Sequence, residues 1–170
     1  MKTIVLRDIH GRRVWMDVVN TQTFDKVVFL GDYVDSFDVS SKDQLENLMD
    51  IVAFKKSCPE KVILLIGNHD YHYFPEVGDT GTSGYRANMA PSFGDVFDQN
   101  RNLFQMAYKE GTCLFTHAGF APTWLERHWK EEWQVERIDE RINDLWRYKP
   151  ISFAFAHFDG RSNPYGDDVW

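Results

Sequence analysis

The sequence has few cysteines, an excess of acidic over basic residues, and no long apolar run. Its two cysteines, Cys58 and Cys113, form neither a disulfide framework nor a metal-binding spacing, so we expect a reduced, intracellular protein. We interpret Cys113, inside the apolar run TCLF, as a small core residue. No secretory signal follows Met1, and no apolar stretch is long enough to cross a bilayer. We therefore expect a cytoplasmic protein with no membrane partner.

The shortage of basic residues argues against one large class of partners. The chain has 19 Lys and Arg against 26 Asp and Glu, a formal net charge of −7. Proteins that bind nucleic-acid backbones rely on a basic surface, so nucleic acid is disfavoured as a partner. The 170 residues, 43% of them hydrophobic and 15% aromatic, suffice for one globular domain with a real core.

What the sequence does have is four short polar motifs, each placed directly after an apolar run. The runs TIVL, KVVFL, KVILLI and TCLF each predict a buried parallel strand, because short, β-branched apolar runs are typical of such strands. Ligands at the carboxyl ends of parallel strands converge on one edge of a sheet. The motifs are RDIHG (7–11), GDYVD (31–35), GNHD (67–70) and THAG (116–119).

The pattern between the motifs predicts an α/β fold. Strands are expected at about 2–7, 27–30, 61–66 and 112–116, with helices at about 12–19, from 41 onward, at 101–109 and after 122. Ser41 is expected to open the second helix, with Gln44 as its capping-box partner. Residues 71–100, rich in aromatics and glycine, are interpreted as a functional loop insertion with short helical pieces.

The first two motifs offer carboxylate and imidazole donors, each with a simpler alternative. Asp8 and His10 can turn toward one ion, although Asp8 could instead cap a helix while His10 lies on the surface. Asp32 and Asp35 suit one bridging ligand and one orienting partner, although a turn rich in Asp and Gly would look the same.

The last two motifs complete the donor set. Asn68 supplies a neutral oxygen ligand and leaves the next residue, His69, free to donate a proton. His117 adds an imidazole, and a buried structural histidine is the alternative. Taken together, the donors predict a two-metal hydrolytic site. His72, in an aromatic run, and His128, in a charged helix, are assigned only packing or surface roles.

The ordered motifs resemble those of the calcineurin-like metallophosphoesterases. Within that superfamily they are most similar to small bacterial or phage-type members of the phosphoprotein phosphatase and diadenosine tetraphosphatase branch. The resemblance spans essentially the whole chain, and we expect a single domain over 1–170. It implies a layered α/β fold in which strand-end loops carry a dinuclear metal site.

The resemblance also implies a role for each motif residue. The first divalent ion would be held by Asp8, His10 and Asp32, and the second by Asp32, Asn68 and His117, with Asp32 bridging. Mixed oxygen and nitrogen ligation favours Mn²⁺, Fe or Zn²⁺. Two such ions can clamp a phosphoryl group and activate a water for attack on phosphorus.

In the same comparison, His69 would donate a proton to the leaving oxygen. Asp35 would orient it as its carboxylate partner. General acids of this kind contribute about 10²–10⁴-fold to the rate.

The resembling family binds the substrate phosphate through two arginines, and the first of them is missing here. Ser36 and Phe37 stand where the family has Arg-Gly, so Arg86 is a candidate replacement, with a solvated loop arginine as the alternative. Arg161 corresponds to the second phosphate ligand. The family's last metal-binding histidine then falls beyond Trp170, so either the chain is C-terminally truncated, which we favour, or His157 replaces it.

These features predict a hydrolase of phosphate esters. A phosphomonoesterase acting on a phosphoprotein or small metabolite is slightly ahead of a hydrolase of dinucleoside polyphosphates or cyclic nucleotides, which stacking on the aromatic loop would favour. A phosphodiesterase or nuclease comes third. A catalytically silent scaffold is the alternative from a different class. Aromatic residues near the C-terminus leave a homo-oligomer open.

Overall fold

Short strands alternate with helices along the chain. The computed structural model describes residues 1–79, 81, 84–120, 122–129 and 135–153. Within them the strands are β1 (Thr3–Leu6), β2 (Lys26–Phe29), β3 (Val62–Leu65), β4 (Phe104–Gln105), β5 (Ala107–Glu110) and β6 (Cys113–Thr116). The helices are α1 (Val14–Thr21), α2 (Ser41–Ser57), α3 (Asn68–Tyr71), α4 (Ala90–Gln99), α5 (Pro122–His128) and α6 (Ile138–Tyr148).

The first four strands form one parallel sheet in the order β1-β2-β3-β4. Val5 of β1 is in register with Val28 of β2, which is in register with Ile63 of β3. Parallel neighbours require crossover connections, and α1 and α2 supply them between the first three strands. The predicted α/β fold with a parallel sheet is thus confirmed.

The central strands β2 and β3 are covered on both faces. Side chains alternate along each strand, so Val28 and Ile63 face one side and pack near Tyr108 of β5 and Phe115 of β6. The opposite face joins the main core with α1 and α2 through Val27, Phe29, Val62, Leu64, Trp15, Leu48 and Ile51. This double burial explains why β2 and β3 consist almost entirely of apolar residues.

Two expectations about the second half of the chain are wrong. The run TCLF is not a buried parallel strand, because β6 pairs antiparallel with β5 in a separate sheet and Cys113 is exposed. The helix expected over 101–109 is instead a 3₁₀ turn, Arg101–Leu103, followed by β4 and β5. Pairing of β4 with β3 overrides the local helical pattern there.

The described part of 71–100 combines a helix with buried aromatic side chains. It contains α4, and its aromatic side chains are inserted in the main core instead of lining an open surface. Five of them are at most 3% exposed: Tyr71, Tyr73, Phe74, Phe93 and Phe97. One of the expected helical pieces is thus the regular helix α4, and burial of the aromatic side chains anchors it to the core.

The start of α2 also differs from the expectation. Ser40, not Ser41, is the N-cap, and its side chain accepts a backbone N–H from the first turn. Gln44 turns inward, accepts the N–H of Ser36 at 3.0 Å and donates to the carbonyl of Val39 at 2.7 Å. A fully buried amide therefore fixes the loop that follows Asp35.

Within the described residues, none of the helices has both the length and the apolar character that crossing a bilayer requires.

The loops after β2 and β3 touch through two glycines. Gly31 has φ +106°, and a Cβ placed on it would lie 2.3 Å from the backbone N of Gly67. A Cβ on Gly67 would lie 2.1 Å from Oδ1 of Asp32. Only glycine allows this approach of two strand-end loops.

Gly31→Ala is expected to lower the free energy of unfolding by more than about 3 kcal/mol, because it adds a backbone clash to an unfavourable positive φ. Gly111→Ala is the matched control, since Gly111 also has positive φ (+60°) but has no atom within 4 Å of a new Cβ. It should cost only about 1–2 kcal/mol. Urea unfolding measures both, and equal losses would contradict the steric argument.

Candidate metal centre

The loop that follows β2 is the point where the other strand-end loops meet. The N–H of His10 donates to the carbonyl of Asp32 at 2.7 Å, and the N–H of Gly11 donates to that of Tyr33 at 2.8 Å. His117, directly after β6, reaches the carbonyl of Leu30. Together with the approach of Gly31 to Gly67, these hydrogen bonds bring the four predicted motifs to one edge of the parallel sheet.

Left-handed backbone turns mark the same loops. In the described part of the chain, four residues other than glycine have positive φ, between 42° and 65°. Left-handed conformations are uncommon for such residues, and Asp and His tolerate them better than most. Backbone strain of this kind concentrates at functional sites. The four residues are Asp8, His10, Asp32 and Asp35, all of them predicted site residues.

Asp32 lies between two imidazoles. Its Oδ2 is 3.8 Å from Nε2 of His10 and 3.6 Å from Nε2 of His117. Its Oδ1 accepts the backbone N–H of His69 at 3.1 Å, which fixes the carboxylate. At 5% exposure the carboxylate is almost removed from water. One buried oxygen between two imidazole nitrogens suits a shared ligand.

Backbone carbonyls orient both imidazoles. Nδ1 of His10 contacts the carbonyl of Val34 at 2.7 Å, and Nδ1 of His117 contacts that of Leu30 at 2.9 Å. A carbonyl can only accept, so Nδ1 is the donor in each neutral ring and Nε2 keeps its lone pair. This is the usual outer-shell arrangement for a metal-binding histidine.

The structure brings all five predicted ligands together. Two groups have ligand atoms within 4.8 Å of one another: Asp8 with Asp32 and His117, and His10 with Asp32 and His69. Oδ1 of Asn68 lies 3.1 Å from Nε2 of His117. Asp32 belongs to both groups, as expected for a bridging ligand. The division of the remaining ligands between two ions stays a prediction.

Asp70 ties the loops after β2 and β3 together. Its Oδ2 accepts the N–H groups of Asp32 at 2.7 Å and Gly67 at 2.9 Å, and its Oδ1 accepts that of Tyr33 at 2.8 Å. Full burial and the nearby Asp32 charge raise the pKa of Asp70, while the three N–H groups favour the ionised form. The position of Asp32 thus depends on Asp70.

Asp35 contacts His69, as the sequence predicts, and two further residues. Its Oδ2 lies 3.2 Å from Nδ1 of His69 and 2.7 Å from Nε2 of His72, and its Oδ1 accepts the hydroxyl of Tyr73 at 2.5 Å. His72 is 1% exposed, so its role is one of packing and hydrogen bonding, not of the surface. Sequence reasoning missed both His72 and Tyr73 as site residues. Their spacing of three and four residues from His69, one helical turn, is the signal that could have found them.

The pKa values of Asp35 and His69 are shifted in opposite directions, and both shifts favour the charged forms. Burial alone would raise the pKa of Asp35, but hydrogen bonds from His69, His72 and Tyr73 outweigh it and lower the pKa. Burial also opposes a charge on His69, yet the hydrogen bond to Asp35 and the charges of Asp32, Asp35 and Asp8 raise its pKa. A protonated His69 beside an ionised Asp35 is the form that this environment favours.

Comparison with known families agrees with this geometry. The sequence model of the calcineurin-like phosphoesterases matches residues 1–170. The chain belongs to this family. Membership supports metal-dependent phosphoesterase chemistry, and the donor groups around Asp32 give the divalent cations that this family implies a place to bind.

Of the two phosphate-binding arginines predicted for this calcineurin-like phosphoesterase, Arg86 lies within the described residues. The guanidinium of Arg86 donates to the carbonyl of Ser36 and, at 3.0 Å, to Oγ of Ser41. It therefore tethers the loop after Asp35, and its contact with phosphate stays a prediction. Arg161 and His157 lie outside the described residues.

Asp70→Asn is expected to destabilise the protein by about 2–4 kcal/mol, because an amide cannot accept all three buried N–H bonds. Misplacement of Asp32 should also weaken Mn²⁺ affinity by about 10- to 100-fold. Urea unfolding and calorimetric Mn²⁺ titration measure the two effects. Asp144→Asn, an exposed change in a pair with Arg147 on α6, is the control and should alter neither. Unchanged stability in Asp70→Asn would contradict the linking role.

The pair of His69 and Asp35 should make the stability of the metal-free protein depend on pH. The pKa of His69 is raised above 6.5, so its contribution is full below that value and is lost as pH rises through the folded-state pKa. The pKa of Asp35 is lowered below 3.8, so its contribution is full above that value and is lost as pH falls through the folded-state pKa.

We therefore expect the stability difference between the parent and His69→Asn to be largest between pH 3.8 and 6.5 and to shrink in alkaline solution. Urea unfolding in the presence of a chelator, repeated across pH, measures this difference. A difference that grows as the pH rises would show that the sign is wrong.

Proposed function

We propose that this protein hydrolyses phosphate monoesters with two divalent cations held around Asp32. The observation that carries the proposal is the buried Oδ2 of Asp32, which lies within 4 Å of Nε2 of both His10 and His117. A proton donor paired with a carboxylate, His69 with Asp35, lies beside the Asp32 carboxylate. A family fold alone would not require all these groups together.

The donor set fits two cations. Asp8, His10 and Asp32 would hold one, while Asp32, Asn68 and His117 would hold the other. Both imidazoles present a lone pair because their Nδ1 groups are engaged by carbonyls. When bound, the cations would neutralise phosphoryl charge and supply an activated water near neutral pH. Mixed carboxylate, amide and imidazole ligation favours Mn²⁺, Fe or Zn²⁺.

His69 would act as the general acid. Its Nδ1 is bound to Asp35, so Nε2 is the nitrogen that can face the substrate. As the bond between phosphorus and the leaving oxygen breaks, the Nε2 proton would pass to that oxygen and leave a neutral imidazole. The raised pKa of His69 keeps this proton available near neutral pH.

Burial of the aromatic segment favours small monoesters over nucleotides. Base stacking by residues 71–100 was the main sequence argument for nucleotide substrates, and its principal aromatic side chains are buried. Phe37, two residues after Asp35, is 81% exposed to solvent. Phe37 is the specific observation that favours an aromatic or nucleotide substrate as a second candidate.

The first experiment measures hydrolysis of phenyl phosphate with and without Mn²⁺. The parent should require the metal, and His69→Asn should lose at least about a hundredfold in kcat, because it lacks the proton donor. His128→Asn is the matched control, since His128 contacts Trp124 on α5 and none of the proposed ligands. It should retain the parent rate.

Absence of metal-stimulated turnover in folded protein would contradict the proposal and favour a catalytically silent scaffold. Metal analysis then separates the remaining cases. About two ions per chain would indicate an intact centre with another substrate, whereas one ion would indicate a single-metal binding module.

The two substrate classes are distinguished by competition between phenyl phosphate and diadenosine tetraphosphate. The leading proposal predicts higher kcat/KM for the monoester and little effect of Phe37→Ala. A preference for the dinucleotide that Phe37→Ala abolishes, with phenyl phosphate hydrolysis unchanged, would instead support the second candidate.

A further inference from the structure

Asp35 accepts hydrogen bonds from more groups than a His–Asp pair requires. Among the described residues, His69 and His72 both contact its Oδ2, and Tyr73 donates to its Oδ1. The carboxylate side chain is fully buried. We propose that His72 and Tyr73 are positioning residues that clamp Asp35, so that it holds His69 in the orientation needed to protonate the leaving group. This inference rests on the proposed role of His69 as general acid.

The contact with Asp35 determines which ring nitrogen of His72 carries hydrogen. A carboxylate oxygen can only accept, so Nε2 of His72 carries hydrogen at this 2.7 Å contact. The other nitrogen, Nδ1, is buried and has no hydrogen-bond partner within the described residues. An unsatisfied buried polar atom costs about 1–3 kcal/mol, which an apolar ring at this position would avoid. A benefit from the Nε2 donor explains why histidine occupies the position.

Aromatic packing holds the His72 ring in place. The ring meets Tyr73 edge-on at 4.5 Å between centroids and Tyr85 at 4.7 Å. Tyr73 also stacks on Tyr85, and its hydroxyl accepts the backbone N–H of Arg86 at 2.9 Å. Both donors to Asp35 are therefore rigid, and their positions are set before substrate arrives.

The three donors lie on one short stretch of chain. His69 is in α3, and His72 and Tyr73 follow within one turn. Asp35 comes from the loop after β2, so its carboxylate joins that loop to the turn after β3. Rotation of Asp35 would break two bonds besides that to His69, and a fixed Asp35 keeps the His69 hydrogen on Nδ1.

The step that depends on this clamp is transfer of one proton from Nε2 of His69 to the leaving oxygen. A poor alkoxide leaving group needs this proton, whereas 2,4-dinitrophenolate leaves without it. Loss of the clamp should therefore slow hydrolysis of an alkyl ester more than hydrolysis of 2,4-dinitrophenyl phosphate. A general loss of folding or metal binding would slow both esters equally.

The test compares kcat for glycerol phosphate and 2,4-dinitrophenyl phosphate, with Mn²⁺, in parent and variant proteins. His72→Phe keeps the ring contacts but removes the donor, and should lower kcat about tenfold or more on the alkyl ester and less than about threefold on the dinitrophenyl ester. His72→Gln, whose amide can donate from the position of Nε2, should restore most of the loss. Tyr73→Phe should show a smaller loss with the same ester dependence.

Tyr71→Phe is the matched control, because the Tyr71 hydroxyl donates to the carbonyl of Pro150 and not to Asp35. It should leave the ratio of the two rates unchanged. Equal loss on both esters in folded His72→Phe and Tyr73→Phe, or no loss in either, would overturn the inference. Selective loss in His69→Asn alone would support the general acid while rejecting the clamp.

A second measurement does not require activity. Long-range ¹H–¹⁵N spectra of histidine-labelled, metal-free protein report which nitrogen of each ring carries hydrogen. At alkaline pH the parent should show His69 as the single Nδ1–H tautomer, and His72→Phe should show a mixture. An unchanged His69 tautomer and ring order in the variant would overturn the clamp even if the enzyme were inactive.

Discussion

The carboxylate of Asp70 joins the ends of two neighbouring strands. It accepts backbone N–H groups from Asp32 and Tyr33 after β2 and from Gly67 after β3, all while fully buried. Such a group is stable only when its oxygens are satisfied, so the two loops have little freedom to separate. The same two loops approach each other closely at Gly31 and Gly67, where only glycine fits. The geometry of the candidate metal centre depends on this link, because it fixes the backbone N–H of Asp32.

The centre gathers more negative charge than the protein alone neutralises well. Asp32 and Asp70 are buried close together, and Asp8 lies near Asp32. Burial of like charges is costly without compensation, and divalent cations are the compensation that this family implies. Folding and metal binding should therefore be coupled here. The charge of Asp35 is instead stabilised by hydrogen bonds from His69, His72 and Tyr73.

Sequence reasoning identified the site residues that directly follow apolar strands and missed the site residues that do not. Asp8, His10, Asp32, Asn68 and His117 come directly after apolar strands, and the carboxyl ends of strands bring such residues together. His72 and Tyr73 come after the motif, in an aromatic run whose composition indicates only packing. Their contacts with Asp35 depend on how α3 and the following turn fold back on the loop after β2. Their spacing of three and four residues from His69 indicates a shared helical turn, but it does not indicate that this turn packs against Asp35.

Sequence alone determined the family, the parallel α/β pattern of the first three strands, and the donors at their ends, because short apolar runs and the motifs after them are local signals. Tertiary structure decided that TCLF forms an antiparallel pair, that 101–109 is extended, and that the aromatic side chains of 71–100 are buried. It also decided that Arg86 holds Ser36 and that Asp35 has three partners. These outcomes rest on strand pairing, burial and hydrogen bonds between residues distant in the chain, where contacts made on folding outweigh local preference.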